Sequence, residues 1–83
     1  MPMPDAMFVE VLTPDKTLYS GEAAVITLPG VAGSFQLLNM HAPMIANLKV
    51  GTIEITGLDN QKKTYSVNNG LVEVLNNKVV VLI

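Results

Sequence analysis

Few side chains in this sequence of 83 residues could perform catalysis, and their spacing does not bring them together. The chain has one histidine, His41, and no cysteine. A catalytic triad needs a nucleophile, a base and an orienting group, and a zinc site needs several His, Cys or carboxylate ligands. The seven carboxylates are dispersed along the chain without the spacing of an acid–base pair. We therefore expect no catalytic residue, no metal and no cofactor, and we interpret His41 as hydrogen-bonded to loop backbone.

Two short motifs admit a functional interpretation. The glycine-rich segment 30–33 is not followed by the Gly-Lys-Ser/Thr of a phosphate-binding loop, so it is interpreted as a turn. Asp15-Lys16-Thr17 resembles the Asp-Lys-Ala hairpin tip of lipoyl carrier domains, which are β-sandwiches of similar length. In those domains the lysine lies mid-chain between two pseudo-symmetric halves, and this sequence has no such symmetry. An exposed turn lysine is the simpler interpretation, and a carrier domain modified at Lys16 stays as the alternative hypothesis.

Composition excludes two further classes of protein. Apolar residues make up 49% of the chain and charged residues 14%, with five lysines, no arginine and a net charge of −2. Disordered chains combine low hydrophobicity with high net charge. Proteins that bind nucleic acid need a basic surface. We therefore expect a folded domain that does not bind nucleic acid.

One segment has the length and hydropathy of a membrane span. Residues 23–48 carry no formal charge, but prolines, glycines and asparagines interrupt the run, so it cannot form one spanning helix. The N-terminus lacks the basic start and apolar stretch of a signal peptide. We expect a protein that is intracellular or faces an intracellular compartment.

The hydrophobic pattern has a period of two, which is typical of half-buried strands. Polar and apolar residues alternate over 52–56 and 64–67. Turn signals recur every eight to twelve residues, among them Ser20-Gly21 and Asn76-Asn77, and the two asparagines suit a two-residue hairpin because asparagine tolerates a positive φ. The pattern predicts an all-β fold, a small antiparallel β-sandwich of about eight to ten short strands. It also predicts one domain over residues 7–83 and a frayed segment over 1–6, and no stretch of the sequence shows an apolar pattern at helical spacing. The predicted strands are Met7–Leu12, Thr17–Tyr19, Ala23–Leu28, Ser34–Leu38, Met44–Leu48, Gly51–Thr56, Lys63–Val67, Leu71–Leu75 and Lys78–Ile83.

Two of these strands are apolar on both faces. Residues 7–12 are nearly so, and residues 79–83 are entirely so. Such a strand is normally covered on both sides. Either both strands lie centrally under folded-over loops, or one face is a surface for a partner, because large exposed apolar patches mark interaction sites.

Two neighbouring segments carry a resemblance to a known family. Residues 28–35 read LPGVAGSF and residues 37–43 read LLNMHAP, which is similar to the signature of the N-terminal β-sandwich of the epsilon subunit of F-type ATP synthases. The flanking pieces also resemble the family in order and spacing. They are TPDK at 13–16, YSGE at 19–22, LKVG at 48–51, NGLVEV at 69–74 and NKV at 77–79.

The resemblance implies a non-catalytic rotor subunit that couples proton-driven rotation of the c-ring to ATP synthesis. Its implied partners are the gamma subunit and the c-ring, and it would lie on the cytoplasmic face of a bacterial membrane, touching the membrane only through the complex. By position, the resemblance implies two contact sets. The gamma-contacting residues would be Thr13, Met40, His41, Ala42, Pro43 and Met44, and the c-ring-contacting residues would be Val31, Ala32, Gly33 and Ser34.

The sequence departs from the family's pattern in ways that change these expectations. Many members carry acidic residues in the c-ring loop, whereas Ala32 and Ser34 are neutral, so an apolar or hydrogen-bonded contact is expected there. Val50 replaces the usual proline of the Leu-Lys-Pro-Gly turn. Most members continue into a C-terminal helical hairpin, and we expect no C-terminal helical hairpin from these residues. The family's inhibitory and ATP-binding properties belong to that hairpin, so neither is expected here.

Overall fold

The computed structural model describes residues 6–83, which form nine β-strands and no helix. All nine predicted strands are present, with ends that differ by a few residues, and the all-β prediction is confirmed. The strands are β1 (Met7–Leu12), β2 (Thr17–Ala23), β3 (Val25–Gly30), β4 (Gly33–Leu38), β5 (Met44–Leu48), β6 (Gly51–Thr56), β7 (Lys62–Val67), β8 (Gly70–Leu75) and β9 (Lys78–Leu82).

One predicted turn is wrong. We expected Ser20-Gly21 to separate two strands, but both residues lie inside β2, where they pair with Glu10 and Val9 of β1. The β1–β2 ladder runs along the whole of β1, and a glycine weakens a strand without preventing its pairing. Of the segment predicted to fray, residues 1–5 lie outside the described residues. The carbonyl of Ala6 accepts a hydrogen bond from Asn77 Nδ2 at 3.1 Å.

The strands form one sheet that curls into two layers. The order β2-β1-β9-β8-β5 makes the first layer, and β3 with β4 on one side and β6 then β7 on the other makes the second. The layers join where β5 meets β3, through the single pair Gly30↔Leu48. One ladder departs from the predicted antiparallel sandwich, because β1 and β9 pair in parallel. No hairpin joins these two strands, which lie at opposite ends of the described chain, so turn signals could not reveal their pairing.

The core is aliphatic and lies between the two layers. The three central strands of the first layer, β1, β9 and β8, bury alternate side chains, as in Val9 and Val11 of β1 and Val79 and Val81 of β9, all 0% exposed. Ile26, Leu28 and Ile53 close the core from the second layer. Within residues 6–83 no polar or charged residue is buried, so the core depends on apolar burial and on the backbone ladders.

Side chains close the seam between β2 and β7, the two strands at the ends of the sheet order. Tyr65 Oη of β7 donates to the carbonyl of Leu18 in β2 at 3.3 Å. Lys63 Nζ lies 5.6 Å from the centre of the Tyr19 ring, and Tyr19 Oη donates to the carbonyl of Glu22 at 2.9 Å. Burial in this seam raises the pKa of Tyr19, and the nearby Tyr65 and Asp59 raise it further.

The close approach of β8 and β9 at Gly70 predicts a stability difference between two strand glycines. A Cβ at Gly70 would lie 2.4 Å from the carbonyl oxygen of Leu82, whereas a Cβ at Gly21 would meet nothing closer than 3.8 Å. Gly70→Ala is therefore expected to lower the free energy of unfolding by about 1–3 kcal/mol. Gly21→Ala is the matched control and should be neutral or stabilise by up to about 1 kcal/mol. Urea denaturation measures both, and equal stability of the two variants would contradict this packing.

The raised pKa of Tyr19 predicts a loss of stability at alkaline pH. Because the folded state holds this proton more tightly than the unfolded state, the resulting stability is complete below pH ~10 and is lost as pH rises through the folded pKa. The urea midpoint of the wild type should therefore fall more between pH 9 and pH 11 than that of Tyr19→Phe, which cannot ionise. An equal fall in the two proteins would show that Tyr19 does not contribute.

Candidate functional site: a docking surface

The outer side of the first layer presents a continuous apolar surface. Strand register places Leu12, Leu82 and Leu71 side by side, and likewise Val80, Glu73 and Ile45. Phe8, Lys78 and Leu75 form a third row. The seven apolar side chains of these rows, which we call the apolar face, are Phe8, Leu12, Ile45, Leu71, Leu75, Val80 and Leu82.

The apolar face is open to solvent. Ile45 is 66% exposed, Leu75 53%, Leu82 47% and Phe8 41%. Single exposed apolar residues are ordinary on protein surfaces, but a contiguous set on neighbouring strands marks an interaction site. The sequence left two explanations for strands that are apolar on both faces, which were coverage by folded-over loops and a surface for a partner. β1 and β9 do lie inside the sheet order, but no loop within residues 6–83 covers these exposed side chains.

Charges on the apolar face are few and mostly paired. Lys78 Nζ lies 3.1 Å from Glu10 Oε1 and 5.9 Å from the centre of the Phe8 ring. The ammonium group therefore has both a carboxylate and an aromatic partner on the surface itself. Glu73 is exposed between Val80 and Ile45. A partner with an apolar surface and a cationic group opposite Glu73 would match this arrangement.

The predicted gamma-contacting segment lies at one end of the apolar face. Pro43 borders an open groove of about 370 Å³ that also includes Ile45 and Leu75. Met40 is 49% exposed and adopts a positive φ of 65°, so the chain turns sharply there. His41 and Ala42 are exposed as well, and the ring Nδ1 of His41 lies 2.7 Å from the carbonyl of Ala42. This contact is the one expected for His41, and because a carbonyl can only accept, Nδ1 is the donor.

Two of the predicted gamma-contacting residues are placed differently. Met44 is half-buried, pairs with the inward-facing Val74 and packs against the core. Thr13 lies beyond Leu12 at the opposite end of the first layer, where its Oγ1 accepts the amides of Asp15 and Lys16 at 3.2 and 3.0 Å. The apolar face spans the sheet between Thr13 and the 40–43 segment, and the resemblance did not point to most of its residues. The signal in the sequence was the two-faced pattern of β1 and β9.

The predicted c-ring-contacting residues form the exposed turn between β3 and β4. Val31 is 61% exposed, and Ala32, Gly33 and Ser34 are exposed too. Gly33 has φ 137°, a conformation that other residues rarely adopt. Through the pair Gly30↔Leu48 and the pair Leu48↔Gly70, this turn shares its end of the molecule with Thr13. Thr13 therefore lies at the same end of the molecule as the predicted c-ring-contacting turn. The predicted gamma-contacting residues of the 40–43 segment lie at the opposite end.

In the described part of the chain, the side chains that could bind a metal ion do not cluster. Among residues 6–83, no three His, Asp or Glu side chains lie together where a metal ion could bind. In the same range, no helix is long and apolar enough to cross a membrane. Lys16 is exposed in the turn between β1 and β2.

Comparison with known proteins identifies the family. The sequence profile described as ATP synthase, Delta/Epsilon chain, beta-sandwich domain matches residues 6–83. The chain belongs to this family. The epsilon-type resemblance of the sequence is thereby confirmed, and the matches give the lipoyl-carrier alternative no support.

Individual relatives of this delta/epsilon-family chain differ in how much of their length it spans. It is 36% identical over 77 residues to the ATP synthase epsilon chain of Chlorobaculum tepidum, covering 93% of this chain and 88% of that protein. It is 41% identical over 75 residues to that of Sulfurimonas denitrificans, covering 90% of this chain but 58% of that protein. The described residues thus match most of one relative and little more than half of another.

Solved structures show the same fold at low sequence identity. A chain of the Euglena gracilis mitochondrial ATP synthase, in an assembly of OSCP, F1 and c-ring, superposes with a TM-score of 0.91 at 19% identity. That match covers 99% of this chain and 52% of the other. A chain from the central stalk and c-ring of the Tetrahymena thermophila enzyme gives a TM-score of 0.77 at 20% identity, covering 99% and 65%.

The opposite orientations of Met44 and Ile45 predict that the same substitution destabilises the first position more than the second. Met44→Asp would place a carboxylate against the core, so it is expected to lower the free energy of unfolding by about 2 kcal/mol or more. Ile45→Asp, at a 66% exposed position, should lose the strand preference of isoleucine and add a weak repulsion from its cross-strand partner Glu73, together about 1 kcal/mol. Denaturant unfolding of the two variants tests this, and a stable Met44→Asp would show that Met44 faces outward.

Proposed function

We propose that this protein acts as an epsilon-type subunit of the central stalk of an F-type ATP synthase and performs no chemistry itself. In this role its apolar face binds the gamma subunit and its β3–β4 turn contacts the c-ring, so that rotation of the ring is transmitted to gamma. The observation that carries the proposal is the contiguous, uncovered apolar face on a domain of the delta/epsilon family.

A gamma contact on the apolar face accounts for its composition. A contact that transmits torque must resist sliding, which broad and closely packed apolar surfaces do better than exposed ion pairs worth at most about 1 kcal/mol each. The 40–43 segment and Thr13 lie at the two ends of this face, so both would fall within one elongated contact. The exposed His41 would then lie at one edge of that contact.

The c-ring contact is supported by position and by the lack of charge in the turn. Val31, Ala32 and Ser34 are exposed together at the end where the β1–β2 turn also lies. With no carboxylate in the turn, attachment would rest on the Val31 side chain and on backbone and hydroxyl hydrogen bonds. The protein would then lie peripherally on the cytoplasmic face of a bacterial membrane, held there by the complex.

A matched pair of leucines tests the gamma contact. Leu75 on the apolar face and Leu58 in the β6–β7 turn are both 53% exposed. Leu75→Asp would bury a carboxylate in the proposed contact, where the neighbouring Lys78 is already paired with Glu10. Burying that charge costs several kcal/mol, so affinity for the gamma subunit of the same organism should fall by at least about 100-fold. Leu58→Asp should bind like the wild type. Calorimetric titration of folded wild type and both variants measures this.

Other results of that titration would contradict the proposal in different ways. Equal binding by Leu75→Asp and the wild type would place the gamma contact elsewhere on the domain. No binding by the folded wild type would overturn the rotor function. Intact mass of the protein purified from its host tests the carrier alternative separately, because a lipoyl or biotinyl group on Lys16 would add to the mass of the unmodified chain.

A further inference from the structure

The segment from Met40 to Pro43, which borders the proposed gamma contact, has no regular structure of its own. It lies between β4 and β5 and is exposed along its whole length. The amide of His41 donates to the carbonyl of Leu38 at 3.2 Å, which closes the first turn. A short exposed segment with this little internal bonding is normally mobile. Its position therefore depends on contacts from other parts of the chain.

Asn77 makes such contacts from the distant β8–β9 turn. Its Oδ1 accepts the amide of Met40 at 2.7 Å. Its Nδ2 donates to Asn39 Oδ1 at 2.8 Å and to the carbonyl of Ala6 at 3.1 Å. The orientation of this side-chain amide is well determined, since a backbone N–H can only donate and a carbonyl can only accept. One side chain therefore joins the β4–β5 segment, the start of β1 and the β8–β9 turn.

The backbone of Asn77 adds to this junction and explains the residue type. Its carbonyl accepts the amide of Phe8 at 3.1 Å, so β1 is attached there as well. Its φ of 61° lies in the left-handed region, which asparagine tolerates better than most residues with a side chain. Glycine would permit the same turn but could make none of the side-chain bonds. Asn76 has a similar φ of 51°, but its exposed side chain makes no comparable hydrogen bond among residues 6–83.

We propose that Asn77 is a positioning residue that holds the Met40–Pro43 segment in place as a pre-formed rim of the gamma-binding surface. This inference rests on the proposed function. A segment that is already ordered does not lose conformational freedom when the partner docks, so the affinity is higher and association is faster. The role belongs to the amide side chain rather than to the turn, because both asparagines of the turn have the left-handed conformation.

Two substitutions separate the side chain from the turn. Asn77→Gly keeps the left-handed backbone and removes all three side-chain bonds, and Asn76→Gly is the matched control in the same turn. Hydrogen exchange measured by NMR reports directly on the Met40 amide. In Asn77→Gly its exchange should accelerate at least about tenfold, whereas the Phe8 amide, bonded to the backbone carbonyl of residue 77, should keep its wild-type rate. Asn76→Gly should leave both rates unchanged.

Binding kinetics with the gamma subunit complete the test. Asn77→Gly is expected to bind about tenfold more weakly, mainly through slower association, and Asn76→Gly to bind like the wild type. Unchanged Met40 exchange in Asn77→Gly, or faster exchange with unchanged binding, would overturn the positioning role. Faster exchange at Phe8 together with Met40 would assign the effect to general destabilisation and also overturn it. If the folded wild type does not bind gamma, the proposed function itself fails, and the exchange data still report whether Asn77 orders the segment.

Discussion

Nine short strands in a sheet curled into two layers enclose a single aliphatic core. This constraint determines which side chains of each strand face inward and which face outward. Strands β1, β9 and β8 of the first layer point alternate residues into the same aliphatic core, as Val9, Val79 and Val72 do, so the residues between them face outward. Apolar outward residues must then meet either solvent or another surface. The inward-facing residues of β1 and β9 therefore form part of the core, and their outward-facing apolar residues form part of the apolar face.

Strand register decides how this outer surface is arranged. The parallel β1–β9 pair brings residues from the two ends of the described chain together, so that Phe8 and Leu12 lie beside residues 78–82. The β8 and β5 ladders extend the same rows to Ile45. A shift of one residue in any of these ladders would exchange the inner and outer sets, and burial of the inner set prevents such a shift. The same contacts that stabilise the core thus fix the shape of the apolar face.

The two ends of the molecule differ in the conformations of their turns. At one end, Asn77 has a left-handed backbone, and its side chain hydrogen-bonds to Ala6, Asn39 and Met40 beside the 40–43 segment. At the other end, a glycine with φ 137° shapes an exposed and uncharged turn. The proposed transmission of rotation between two partners would use a continuous sheet, a broad apolar face along it, and an exposed turn at its end.

The sequence by itself determined the class of fold, the nine strands, the asparagine hairpin turn and the family. Period-two patterning and turn residues act locally, so they are visible in the order of the residues. It also showed that residues 7–12 and 79–83 are apolar on both faces. Only the tertiary structure decided that these strands pair in parallel, that Met44 faces the core while Ile45 faces outward, and that Thr13 and Met40 lie at opposite ends of one surface. These features depend on ladders and hydrogen bonds between residues far apart in the chain, such as that from Met40 to Asn77, and local patterns carry no record of such partners.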